Sequence, residues 1–94
     1  MKIKLEKFGD MLTSRQDGRE AFATLNPRLQ DLTKNEPILI DFKGVITFTP
    51  SWADEFITKL TKQFGDRIVL NNTNNPSVKA TLNLLNRLNQ NPTL

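Results

Sequence analysis

The chain has 94 residues, of which 37% are hydrophobic and 24% are charged, and its formal net charge at pH 7 is +3. This length predicts one domain over residues 1–94, with 89–94 as a frayed tail. The absence of Cys and His excludes disulfides, thiolate metal sites and the commonest general base. We therefore expect no enzyme, no metal site and no cofactor.

The distribution of charge and hydropathy bears on location and partners. No apolar segment follows the basic N-terminus, so no signal peptide is predicted, and no run of about 18 apolar residues predicts a membrane span. We expect a cytoplasmic protein. Basic residues are scattered and interleaved with acidic ones, whereas nucleic-acid-binding modules concentrate Lys and Arg on one face.

Alternation and periodicity predict the elements of the first third. Alternating apolar and charged residues over Met1–Phe8 predict a strand with one wet face. Apolar residues then recur at spacings of three and four from about Arg15 to Leu32, which predicts an amphipathic helix that Thr13 or Ser14 caps. Pro27 predicts a kink in this helix, or two short helices.

The middle of the chain predicts a strand, a turn and a helix. Ile38–Phe42 is apolar on both faces, as a central parallel strand is. The segment from Val45 to Phe48 is predicted as a connection. Thr49 then caps a helix that Pro50 opens and Gly65 ends.

The last third predicts a strand over Arg67–Leu70, a polar loop over Asn71–Pro76 and a final helix that Pro76 and Ser77 open. Strands that alternate with helices predict parallel pairing and right-handed crossovers. The fold class is accordingly α/β: a small βαβαβα domain with a mainly parallel sheet.

Thr49–Glu55 combines hydroxyl and carboxyl groups at a predicted helix start. A catalytic Ser51 would need a base within hydrogen-bond reach, and the G-x-S-x-G motif is absent. Capping of the helix by Ser51 and Asp54 is the simpler interpretation. Phosphorylation of Ser51 or Thr49 is a third, because the helix dipole would stabilise a phosphate, although Asp54 and Glu55 would repel it.

Two further residues have alternative interpretations. Asp41, near the end of the central strand, could hold Mg²⁺ or act as a base, but one carboxylate does not make a metal site, which favours a structural role. Trp52 could be an exposed anchor for a partner, but its periodic position favours the core.

The central segment resembles a known family. Ile38–Val45 and Phe48–Phe56 are similar to the STAS-like domains of bacteria and their phages, in which an apolar strand ending D-F-x-G-V precedes S-F-A-D-E at the next helix. Leu12–Arg15 resembles the family's S-R step, and Asn74–Val78 resembles its final loop and helix start. The resemblance covers nearly the whole chain, and Trp52 stands where Phe is usual.

The resemblance implies a non-catalytic regulatory module that binds proteins. The related anti-sigma-factor antagonists bind histidine-kinase-like ATPases and are switched by Ser or Thr phosphorylation at the helix after the central strand. Thr49 and Ser51 occupy comparable places here. The antagonists have a D-S-S-G-like turn, however, where this chain has Thr-Pro-Ser-Trp.

We therefore expect a protein partner, of ATPase or kinase-like type, and either Ser51 or Thr49 as the phosphorylated residue. The alternative is a small phage or host regulator that acts on a nucleic-acid machine through its scattered basic residues. No catalytic residue is predicted. The residues predicted to bind the partner are Thr49, Ser51, Trp52, Asp54, Glu55 and Asn74.

Overall fold

The computed structural model describes residues 1–90. It contains five strands and four α-helical segments, and helices separate the three longer strands. They are β1 (Lys2–Lys4), β2 (Met11–Leu12), α1 (Arg15–Leu29), β3 (Ile38–Asp41), β4 (Thr47–Phe48), α2 (Pro50–Ala53), α3 (Lys59–Phe64), β5 (Ile68–Asn71) and α4 (Pro76–Gln90). This order confirms the predicted α/β class.

A parallel three-stranded sheet forms the centre, in the order β1-β3-β5. The central strand β3 was predicted correctly, and its inward residues Ile38 and Ile40 are fully buried. The first strand is shorter than predicted, because Leu5–Phe8 forms a 3₁₀ turn. That turn buries Leu5 and brings Phe8 against the aromatic core.

A second, two-stranded parallel sheet was not predicted. It pairs Met11 with Thr47 and Leu12 with Phe48, within the segment that we expected to be a connection. Strands of two residues are too short to show alternation, so the sequence carries no periodic signal for them. Their pairing sets the starts of α1 and α2 side by side, because each helix begins within three residues of its strand.

Helix α1 packs its apolar stripe, which includes Leu25 and Leu29, into the core. It begins as predicted, with the Ser14 hydroxyl accepting a hydrogen bond from the Asp17 N–H at 2.9 Å. It ends at Leu29 rather than Leu32, and Pro27 lies in its last turn within one continuous helix.

The predicted second helix is continuous but irregular. α2 passes through a π-helical turn, Asp54–Thr58, into α3, and we call the three together the central helix. Gly65 ends it with a φ of 52°, as predicted. The Thr49 side chain, by contrast, makes no capping hydrogen bond.

Helix α4 extends through Gln90, so Asn89 and Gln90, predicted as part of a frayed tail, are helical. The rest of that predicted tail, 91–94, lies outside the described residues. Val78 and Leu85 join α4 to the same core as α1 and the central helix. No helix within residues 1–90 has the length and hydropathy needed to span a bilayer.

Candidate functional site at the start of the central helix

Thr49 is anchored to the neighbouring strand connection. Its hydroxyl donates to the Thr13 carbonyl at 2.7 Å, and its N–H donates to the Leu12 carbonyl at 3.0 Å. Its own carbonyl accepts the N–H of Ala53 at 3.0 Å, which starts the central helix. Thr49 therefore ties the two helix starts together instead of capping its helix with its side chain, because the hydroxyl points to the other chain segment.

Trp52 belongs to the core, with a relative exposure of 1%. Its ring stacks on Phe56 with a centroid distance of 4.8 Å and an interplanar angle of 29°. It also contacts the rings of Phe8 and Phe48. The inward position of the first helical turn thus removes Trp52 from the exposed partner-binding residues that the sequence suggested.

The backbone of Trp52 lies directly against α1. A Cβ atom added to Gly18 would stand 2.6 Å from the Trp52 carbonyl oxygen, closer than real Cβ contacts allow. Only glycine fits this approach without displacement of a helix. The close crossing brings Arg15 and Arg19 of α1 alongside the π-helical turn.

An ion-pair cluster spans this crossing. Arg15 binds Asp54 at 2.9 Å, and Glu55 accepts from Arg19 at 3.2 Å and Lys59 at 3.1 Å. We call these five residues the charged edge. The hydrogen bond from Lys59, with help from Arg19, lowers the pKa of Glu55, and the bond to Asp54 raises the pKa of Arg15.

Both carboxylates at the start of the π-helical turn lie within reach of one arginine of α1. Adjacent residues of a helix point about 100° apart, so the long side chain of Arg15 spans the two directions. Here the Arg15 guanidinium lies 2.9 Å from Asp54 and 3.7 Å from Glu55. π-helical turns are rare and frequently occur at functional sites. Both carboxylates are paired with cations, so neither is an unpartnered base.

Ser51 is half-buried, and its hydroxyl makes no hydrogen bond to any described residue. The prediction that Ser51 and Asp54 cap the central helix is therefore wrong. The uncommitted hydroxyl of Ser51 contrasts with that of Thr49, which donates to a backbone carbonyl.

In the Asn-rich loop, Asn75 rather than Asn74 makes the structural contacts. The Asn75 side chain accepts the N–H groups of Ser77 and Val78, which caps α4, and it donates to the Ile46 carbonyl at 3.0 Å. Asn74 is exposed. No hydrogen bond among residues 1–90 joins it to the charged edge.

Ser77 links the start of α4 to β4. Its hydroxyl accepts the Phe48 N–H at 2.9 Å and donates to the Phe48 carbonyl at 3.1 Å. The starts of three helices therefore meet around Phe48 and Thr49.

Asp41 is a satisfied structural acceptor at the end of β3. Its carboxylate accepts from the Asn72 amide at 2.7 Å and from the Lys43 N–H at 3.0 Å, and Lys2 lies 3.8 Å away. The bond from Asn72 and then that from Lys43 lower the pKa of Asp41. Asn72 has a φ of 57°, in the left-handed region that Asn tolerates better than most residues.

The sequence did not identify the cationic half of the charged edge. Arg15 and Arg19 belong to a different helix, and their pairing depends on how the helices cross. Lys59 did have a local signal, because it follows Glu55 by four residues, the spacing of a helical ion pair.

Comparison with known proteins gives a family match. The model of a family described as STAS-like domain of unknown function (DUF4325) matches residues 17–78, about two thirds of the chain. The matched range includes the central helix and the arginine at position 19. No match was found among curated proteins or solved structures.

Proposed function

Because this chain belongs to the STAS-like domain family, we propose that it is a non-catalytic regulatory module that binds a protein partner through the charged edge. The single observation that carries this proposal is the alternating set of three cations and two carboxylates at the α1 crossing, in which Arg15, Arg19 and Asp54 are exposed. Such a pattern favours specific recognition by complementary charges rather than chemistry on a substrate.

The position of the charged edge supports a role in recognition. Arg15 and Asp54 each retain 49% of their side-chain exposure, and Arg19 retains 61%, so a partner can reach all three. Exposed ion pairs contribute little to stability. The fold itself is supported by the buried contacts of Gly18 and Trp52 beneath them.

The resemblance to anti-sigma-factor antagonists suggests a histidine-kinase-like ATPase as the partner and phosphorylation as the switch. We propose Ser51 rather than Thr49 as the modified residue. The Ser51 hydroxyl has no hydrogen bond to a described residue, whereas phosphorylation of Thr49 would break its bond to the Thr13 carbonyl. A phosphate on Ser51 would add negative charge beside Asp54 and change the local field.

Capture from a lysate of the native host tests the surface. The bait variant is Arg15→Ala/Arg19→Ala, and the matched control is Arg28→Ala/Arg87→Ala, which removes two exposed arginines elsewhere. We expect an ATPase among the proteins captured by the unmodified chain and the control, and its depletion with the bait variant. Circular dichroism checks that all forms are folded.

A second pair of variants tests the switch. Ser51→Glu should reduce capture of the same ATPase, while Ser51→Ala should retain it. Equal capture by Arg15→Ala/Arg19→Ala and the unmodified chain would refute the charged edge as the binding surface. Equal capture by the two Ser51 variants would refute only the phosphorylation switch.

A further inference from the structure

The three-stranded sheet has an outer face, opposite the helices, whose side chains lie outside the hydrophobic core. Two rows of neighbouring residues form this face, and we call them the outer face throughout. The rows are Lys2, Leu39 and Val69, followed by Lys4, Asp41 and Asn71. Leu39 and Val69 do not belong to the core cluster or to the side chains packed on it, and Val69 is 42% exposed.

The topology explains why this face is open. Each crossover, from β1 to β3 and from β3 to β5, moves in the same direction across the sheet, so right-handed connections put both helical layers on one side. The contact of Gly18 with Trp52 confirms that α1 and the central helix share that side. α4 packs there too, through Val78 and Leu85.

An open face is unusual for a parallel sheet. All-parallel sheets occur almost only where both faces are covered. Here Leu39 and Val69 form an apolar strip, and the side chain of Lys2 beside it is 54% exposed. The exposed side chain of Lys4 lies in the next row.

The charge of the outer face is positive. Its one acidic residue, Asp41, has a carboxylate that is only 8% exposed, accepts hydrogen bonds from Asn72 and Lys43, and lies 3.8 Å from Lys2. Lys2 and Lys4 against this one carboxylate leave the two rows net positive. Lys2 and Lys4 are exposed at the surface, and the exposed Lys43 lies two residues beyond Asp41. A complementary partner therefore carries apolar side chains flanked by carboxylates.

We infer that the outer face binds an acidic amphipathic helix of a protein partner, with the helix's apolar stripe on Leu39 and Val69 and its carboxylates on Lys2 and Lys4. A helix with a stripe of this kind is the usual second layer on a parallel sheet. This surface is separate from the charged edge, which lies on the helical side.

Two other occupants fit the outer face less well. A second copy of the chain would place Lys2 and Lys4 of one protomer against the same positive face of the other, and like charges oppose association. A nucleic acid would leave the aliphatic strip without a partner, because bases stack on aromatic side chains, and none lies in these two rows.

Selection from a displayed library of amphipathic helical peptides, in which the charged positions vary among Glu, Gln and Lys, tests the inference. The 94-residue chain is the target, and affinities of selected peptides are measured by fluorescence anisotropy. We expect Glu-rich peptides to be enriched. Lys2→Glu/Lys4→Glu should weaken their binding about tenfold, since two favourable charge contacts become repulsive.

The matched control is Lys62→Glu/Lys79→Glu, which makes the same charge change on the helical side and should alter affinity less than about twofold. Val69→Ser should weaken binding about threefold through loss of apolar contact. Lysine-labelling mass spectrometry on the unmodified chain provides a readout that no variant can disturb: bound peptide should protect Lys2 and Lys4 more than Lys62 and Lys79.

Several results would overturn the inference. Enrichment of basic or neutral peptides, equal affinity for the outer-face variant, or equal labelling of all four lysines would each do so. Self-association in sedimentation velocity that Val69→Ser abolishes would identify a second copy instead. Oligonucleotide binding that Lys2→Glu/Lys4→Glu abolishes, without any peptide enrichment, would identify a nucleic acid.

Discussion

The two faces of the three-stranded sheet use the same strands but have different surroundings. On the inner face, Ile3, Ile38 and Ile40 are almost completely buried beneath α1 and the central helix. On the outer face, Leu39 alternates with Ile38 and Ile40 along β3, and Val69 lies beside it on β5; both remain outside the core. The difference shows that burial here depends on which side the crossovers run, since both faces offer aliphatic side chains.

Substitutions at two neighbouring residues of β3 should show the largest difference in stability. Ile40→Ala should lower the free energy of unfolding by about 2–5 kcal/mol, because it leaves a cavity in the packed core. Leu39→Ala should lower it by under about 1 kcal/mol, because its side chain lies on the open face. Urea unfolding followed by circular dichroism measures both. Equal losses would contradict the one-sided packing.

The contact between Gly18 and Trp52, which joins α1 to the central helix, should give the next largest loss of stability. Gly18→Ala should lower the free energy of unfolding by about 1–3 kcal/mol, because the new methyl group overlaps the Trp52 carbonyl oxygen. Ala23→Val, on the exposed side of α1, adds bulk where space is available and serves as the control. A Gly18→Ala variant as stable as the native chain would show that α1 shifts freely on the central helix.

Substitution of the buried Asp41 at the end of β3 should have a smaller, pH-dependent effect on the free energy of unfolding. Asp41→Asn should lower the free energy of unfolding by about 1–2 kcal/mol at pH 7, because the hydrogen bonds from Asn72 and Lys43 lose an ionised acceptor. The native pKa of Asp41 is lowered, so this stabilisation is complete above the unfolded pKa and disappears as pH falls through the folded one.

Urea unfolding of both forms between pH 7 and pH 3 measures this dependence. The gap between the native chain and Asp41→Asn should narrow as pH falls below about 4, near the ordinary pKa of Asp. A gap that stays constant over this range would contradict the assignment of Asp41 as an ionised acceptor.

The smallest effects on stability should come from two serines near the helix starts, and only one of the two substitutions should be destabilising. Ser77→Ala should lower the free energy of unfolding by about 1 kcal/mol, because it removes the hydroxyl that accepts the hydrogen bond of the Phe48 N–H. Ser51→Ala should leave stability unchanged, since its hydroxyl has no bond to a described residue. Thermal unfolding of both variants checks this. A marked loss in Ser51→Ala would assign that hydroxyl a structural role.

Local patterns in the sequence were sufficient for most of the fold. The two-sided apolar run at Ile38–Phe42, the helix start at Thr49–Pro50 and the stop at Gly65 each follow from short-range physical preferences, and the structure has all three. The family resemblance is confirmed over residues 17–78. The identity of the partner and the modification of Ser51 or Thr49 stay predictions.

Other features depended on contacts between distant segments. The β2–β4 pair, the close approach of Gly18 to Trp52 and the arginine partners of the π-helical turn come from residues more than thirty positions apart, and no local period encodes such distances. The direction of the crossovers likewise decided which face of the sheet became core. Sequence alone thus determined the three longer strands and the helices, because those choices are local, whereas tertiary packing decided the short β2–β4 pair and which side chains remain available for partners.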